Sequence, residues 1–268
     1  MKFPVIGVVL FFIFGASAQQ VASVAEPEAR ILSIYHGLDP LPPGATRLCG
    51  LPPTAGQDGM PVVFSAQING GTLAATAFAV EISSGQRITP LCATLRPALE
   101  PLESRTVLLI GPFSPEDTVP VGVEVVAQLE DTNGNSLVGL KSEQVTSLAS
   151  GPSLVLAELL MPSTVGLVGE CPEESTQAVL LTWEGGVTGP QGATLSDAQR
   201  LAISLLLESG DLVNPHSLAD DDRDNHVIAC LTESSQATLI RVEAGFFHDP
   251  GDDANPETEV EVVSRLAR

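Results

Sequence analysis

Val80-Glu81-Ile82-Ser83-Ser84-Gly85-Gln86-Arg87-Ile88-Thr89-Pro90 and Leu205-Leu206-Leu207-Glu208-Ser209-Gly210-Asp211-Leu212-Val213-Asn214-Pro215 decide how this chain reads. Each stretch runs apolar residues up to a Ser-Gly pair, follows them with a second short run, and closes on proline. Alternation around a glycine turn marks a hairpin with one buried face. Taken alone, 196–208 followed by Gly210 also fits a capped helix. Its counterpart decides otherwise, because Ile203, Leu205 and Leu207 stand where Phe78, Val80 and Ile82 stand. We expect a strand there, preceded by a short helical turn at 196–200.

Working outward, the same correspondence continues. Ile31-Leu32-Ser33-Ile34, Pro42 and Cys49 are answered by Leu154-Val155-Leu156-Ala157, Pro162 and Cys171. Val62-Val63-Phe64-Ser65 is answered by Val179-Leu180-Leu181-Thr182, and Arg105-Thr106-Val107-Leu108 by Asn225-His226-Val227-Ile228. Offsets of 122, 117, 125 and 120 residues separate Cys49, Val62, Gly85 and Val107 from Cys171, Val179, Gly210 and Val227. A repeat of that length is a whole domain rather than a solenoid unit. Further strands are expected at 107–110, 121–129, 136–140, 227–231, 238–244 and 258–263, with Leu154 opening the second copy. Asn133-Gly134 predicts a type I′ hairpin turn. The 21 prolines and 24 glycines break long helices. The expectation is all-β: two tandem Ig-like β-sandwich domains from an internal duplication, preceded by a signal peptide.

The N-terminus reads as an export signal. Lys2 precedes the apolar run from Val5 to Phe14, and Ala16-Ser17-Ala18 supplies a cleavage pattern, so the mature chain begins at Gln19. That run is about half of the roughly 20 residues a spanning helix needs. Glu158 and Pro162 likewise argue against a crossing at 154–168. The expected layout is a signal peptide at 1–18, a flexible stretch at 19–28, a first sandwich at 29–149 and a second at 150–268. The expected location is secreted or periplasmic.

An exported chain with four cysteines reads as disulfide-bonded. Two cysteines fall in each half, so Cys49 should pair with Cys92 and Cys171 with Cys230. No pair has close zinc-ligand spacing. The second cysteines do not align between the halves, so the bridges should staple different places.

Acidic residues number 33 against 12 basic ones. Nucleic acid needs clustered cations and is excluded as a partner, as is docking on anionic lipid. Residues 19–150 carry a net −7 and 151–268 a net −15. Within the second half, Asp220, Asp221, Asp222 and Asp224 form a candidate calcium loop, since calcium takes six to eight oxygens. His248-Asp249-Pro250-Gly251-Asp252-Asp253 and Asp131-Thr132-Asn133-Gly134-Asn135 are lesser candidates, and Asp-rich turns also form with no cation. His216, His226 and His248 lack the spacing that preorganises a metal site. No Gly-x-Ser-x-Gly elbow occurs, and the glycine-rich stretch from 185 to 192 reads as a long mobile loop without basic neighbours.

The resulting expectation is a non-catalytic protein of interaction or surface structure, whose partner is a protein or cell-surface component. No cofactor is called for, calcium being the candidate if any. The alternatives are a secreted carboxylate-dependent hydrolase and a calcium-stabilised adhesion module.

Overall fold

A computed structural model describes residues 29–100, 102–160, 171–219 and 224–264. The expected signal peptide (1–18), the stretch 19–28, and Asp220, Asp221 and Asp222 lie outside the described residues.

The first half supplies nine strands: β1 (Ile31–Tyr35), β2 (Asp58–Phe64), β3 (Phe78–Ile82), β4 (Arg87–Ile88), β5 (Cys92–Thr94), β6 (Thr106–Gly111), β7 (Pro120–Val125), β8 (Lys141–Ser142) and β9 (Val145–Thr146). They form one sheet in the order β5-β6-β2-β1-β9 and another in the order β4-β3-β7-β8. Ile34, Val62, Phe64, Val107 and Leu109 from the first sheet meet Phe78, Val80, Ile82 and Val123 from the second in one interior. The period-two alternation aims these side chains at a common face, and each fully buried one contributes roughly 1.5–3 kcal/mol.

The second half supplies β10 (Leu154–Leu160), β11 (Gln177–Trp183), β12 (Ile203–Leu207), β13 (Leu212–Val213), β14 (Ser217–Ala219), β15 (His226–Leu231), β16 (Ala237–Val242) and β17 (Thr258–Ser264). Its order, β13-β12-β16-β17-β10-β11-β15-β14, reproduces the pairings of the first half with one change. β17 is continuous where β8 and β9 are separate. Its beginning pairs antiparallel with β16 and its end pairs parallel with β10, so two sheets become one curled sheet of eight strands. A separate interior holds Val179, Leu181, Trp183, Ile203, Leu205 and Ile240, with the Trp183 and Phe247 ring centroids 4.6 Å apart.

Irregularities recur as well. The register of β1 on β2 slips between Ile31 and Ser33, and that of β10 on β11 between Leu154 and Leu156. Likewise β3 slips on β7 between Glu81 and Ile82, and β12 on β16 between Leu206 and Leu207. A bulge bends its strand and sharpens the twist, so each half curls at the same two places.

Three local expectations need correction. Residues 136–140 do not form a strand: Ser136 makes one isolated bridge to Glu130, and Gly139 at φ 93° turns the chain away. Leu137 instead plugs the interior. The turn at Asn133-Gly134 is not type I′, because only Gly134, at φ 83°, enters the left-handed region. Gly134 N–H donates to the Asp131 carbonyl, and the Asp131 carboxylate accepts the N–H groups of Asn133 and Asn135. The glycine-rich stretch is also pinned: Val187 and Thr188 are buried, and a Cβ on Gly185 would sit 2.5 Å from the Tyr35 ring. Before β12, α1 (Asp197–Leu201) begins with a capping box between Ser196 and Gln199.

Both disulfides are present, Cys49–Cys92 with Cα atoms 6.1 Å apart and Cys171–Cys230 at 5.6 Å. Cys92 on β5 stands opposite Ile110 on β6, and Cys230 on β15 stands opposite Ser217 on β14. The second cysteine therefore lies on the neighbouring strand of the equivalent edge pair. The bridges thus staple different places, as expected, although each ties the connection after the half's opening strand to the same edge pair of strands.

Candidate functional site

Much of the buried polar chemistry lies where the halves meet. Along β1 and β6 of the first half, Ser33, Tyr35 and Thr106 point away from the interior yet are buried. On β10 and β15 of the second half, Glu158 and His226 correspond to Tyr35 and Thr106 and are also buried, as is Thr182 on β11. Such groups are tolerated away from water only when paired.

The pairing is extensive but incomplete: among the described residues, Ser33 Oγ, Thr182 Oγ1 and both ring nitrogens of His226 are buried with no hydrogen-bond partner. Arg105 grips Glu158 side-on, Nη2 to Oε1 at 2.6 Å and Nε to Oε2 at 2.9 Å, while its Nη1 donates to the Ser65 carbonyl. Asn225 Nδ2 donates to Thr106 Oγ1 at 2.8 Å and to the Trp183 carbonyl at 2.9 Å. Glu184 accepts Thr146 Oγ1 at 2.7 Å and Ser153 N–H at 3.0 Å. The Tyr35 hydroxyl lies 2.7 Å from the Ser150 carbonyl and 2.8 Å from Asp249 Oδ2, with one proton to donate. Burial, then the Asp249 carboxylate, drive its pKa upward, so the phenol stays protonated. A bidentate Arg–carboxylate pair fixes direction as well as distance. These bonds make the surface a polar joint between the halves.

The sequence-nominated acids are distributed by this arrangement. Asp224 is buried at the joint, its Oδ1 accepting His226 N–H at 2.6 Å. Asp249 spends one oxygen on Tyr35 and the other on Asp253 N–H. Asp252 accepts Gln191 N–H at 2.7 Å and faces His248 Nδ1 at 2.9 Å. His216 sits on the surface against Glu174, beside an open depression of about 300 Å³ lined by Leu195, Asp197 and Arg200. The three nominated histidines therefore occupy three different places.

Among the described residues, two groups bring three ligand-type atoms within 4.8 Å of one another: His36, Asp39 and Asp58, and Glu103, Asp224 and His226. The second group belongs to the joint, where Glu103 also accepts Glu100 N–H. In the first, Asp58 Oδ2 accepts Phe113 N–H at 2.7 Å and Ser114 Oγ at 2.9 Å, and Ser114 Oγ lies 3.4 Å from Asp39 Oδ2. Burial, opposed by the Ser114 bond and reinforced by Asp39, pushes the Asp58 carboxyl up to about 6. Burial lowers the His36 pKa against the pull of Asp39, favouring neutral imidazole.

Sequence reasoning missed the joint. Its one available signal was Glu158 inside the apolar run Leu154–Leu160, a charge that strand burial obliges to find a partner. His36 and Asp39 are three residues apart, but Asp58 follows 19 residues later and nothing local joins it to them.

No helix among the described residues is long and apolar enough to cross a membrane. No family model matches the chain, and no curated protein does. Among solved structures it is similar to surface layer protein SbsC, domains 1–6, at 9% identity and a TM-score of 0.31, over 90% of this chain and 42% of that one. The chain thus spans less than half of that structure, and a likeness at this level fixes neither fold detail nor function.

Proposed function

We propose that this is a secreted, non-catalytic protein built from two Ig-like β-sandwich domains that arose by internal duplication, serving interaction or surface structure. The observation that carries the reading is the joint. Arg105, Glu158, Tyr35, Asp249, Thr106 and Asn225 direct their polar atoms at one another across the halves, a use suited to holding two modules at a fixed angle. The recurrence of the strand order and of both bulges supports duplication, and two disulfides fit an oxidising compartment. On this reading the domains are 29–149 and 150–268, the latter more acidic, and 1–18 is removed on export.

Two measurements test it. Small-angle scattering of the mature chain should fit one rigid two-module shape, with Arg105→Ala broadening the distance distribution. Pull-downs from the cell-surface fraction, with and without calcium, should capture a component saturably. Turnover of a glycoside, ester or peptide that is lost on replacing one carboxylate would replace this reading with the hydrolase.

A further inference from the structure

A buried imidazole lies beside two carboxylates, at the border of the joint network. His36 directly follows β1, and its backbone N–H donates to the Thr146 carbonyl at 3.0 Å. Its residue exposure is 4%, and among the described residues Nε2 has no hydrogen-bond partner. Asp58 opens β2, and Asp39 sits in the connection between the two strands, next to the isolated bridge of Leu38 with Gly59. A ring nitrogen of His36 and one oxygen from each carboxylate lie within 4.8 Å of one another.

Each feature is unfavourable by itself. A buried polar group lacking a partner costs about 1–3 kcal/mol, and adjacent carboxylates resist joint ionisation. Both costs vanish if the three groups share a cation. We propose that His36, Asp39 and Asp58 form a binding site for a divalent transition cation, zinc foremost, with water completing the shell.

One imidazole and two carboxylates are a donor set for zinc or its neighbours rather than for calcium, which wants six to eight oxygens. Zinc-to-ligand lengths of about 2.0–2.2 Å place tetrahedral donors roughly 3.3–3.5 Å apart. The present spacing therefore needs only a modest inward movement, and Asp39, which is exposed, can supply it by side-chain rotation. Ser114 Oγ orients the Asp58 carboxylate and lies beside that of Asp39, the outer-shell role that metal-binding carboxylates commonly have. The bound ion would clamp the long β1–β2 connection to the mouth of β2.

The test is calorimetric titration of chelator-stripped mature protein with zinc chloride, alongside calcium and magnesium chlorides. The expected result is one saturable zinc site, a raised melting temperature, and cobalt(II) absorption bands of a four-coordinate nitrogen–oxygen site. Asp39→Asn and His36→Gln should each weaken zinc at least tenfold, whereas His248→Gln should leave it unchanged. Asp39 is exposed, so its variant decides the matter even if His36→Gln misfolds. Absence of saturable zinc binding, binding unchanged in Asp39→Asn, or binding lost in His248→Gln would overturn the proposal.

Discussion

Counted from the shared bulge, Tyr35 on β1 and Glu158 on β10 occupy the same register position, and so do Thr106 on β6 and His226 on β15. Facing inward, the two halves carry like for like: Phe64 and Trp183, Val62 and Leu181, Val107 and Val227. Facing outward, they carry unlike groups that complete one another, a phenol that reaches Asp249 and a carboxylate that receives Arg105. Packing constrains the inner positions to apolar residues of matching volume. The outer positions are under no such constraint, and their unlike groups are what lets one sheet face meet the other.

Four experiments press on this comparison, beginning with the largest effect. Replacing Cys49 and Cys92 by serine, or Cys171 and Cys230, should cost about 4 kcal/mol in either case, because loops of 43 and 59 residues carry nearly equal closure entropy. Urea midpoints of the two double variants check it, and a difference of more than about 1 kcal/mol would show that moving the cysteine by one strand changed its worth.

Next comes the joint. Arg105→Ala leaves Glu158 buried without its guanidinium and should cost about 3 kcal/mol, the low end for a broken buried pair because the Arg105 side chain is 11% exposed. Trp183 lies in the second interior and is the chain's sole tryptophan, so its emission follows that half alone. In the native chain, emission and far-ultraviolet circular dichroism should report one transition, and in Arg105→Ala they should separate. Replacing Arg105 and Glu158 together with methionine should cost far less.

The third contrast is between Asp58 and Gln177, which open β2 and β11 at the same register. Both reach the loop that leaves the neighbouring strand, Asp58 to Phe113 and Ser114, Gln177 to Glu233 and Ser235. Only Asp58 titrates. Its folded pKa of about 6 exceeds the ordinary carboxyl value, so the native state holds a proton that the unfolded chain has released. The stability this group contributes is full below about pH 4 and is lost as pH rises through 6, on the order of 2 kcal/mol. In chelator-treated protein, Asp58→Asn should flatten that slope, as measured by thermal melts at pH 4, 5, 6 and 7.

Smallest is the turn comparison. Gly134 at φ 83° and Asp252 at φ 68° take the same place in matching hairpins, whose first residues, Asp131 and Asp249, are bonded alike. A Cβ on Gly134 would meet nothing within 4 Å, so Gly134→Ala isolates the backbone term at about 1 kcal/mol. Asp252→Gly relieves that term but forfeits the bond to Gln191, and the midpoint should scarcely move.

The inner faces were legible in the sequence because alternation and the domain-length offset report burial directly, as at Val80 and Leu205. The correspondence even corrected a helical reading of the residues before Gly210. The outer faces were not legible. Tyr35 and Asp249 are 214 residues apart, and nothing local marks an outward residue as covered. Asn133-Gly134 misled for a different reason: the Asp131 carboxylate captured the following N–H groups and selected another turn. His36 escaped notice because Asp39 three residues on makes only a pair, and the third group, Asp58, is brought to it by strand pairing rather than by sequence.

One consequence of the strand order concerns force. In each half the opening strand lies parallel to the closing one, β1 beside β9 and β10 beside β17. Tension entering at the start of the first and leaving at the end of the second runs along both strands in opposite senses. The hydrogen bonds between them are then loaded together in shear instead of being peeled apart singly, an arrangement fit for a tether that must bear a pull.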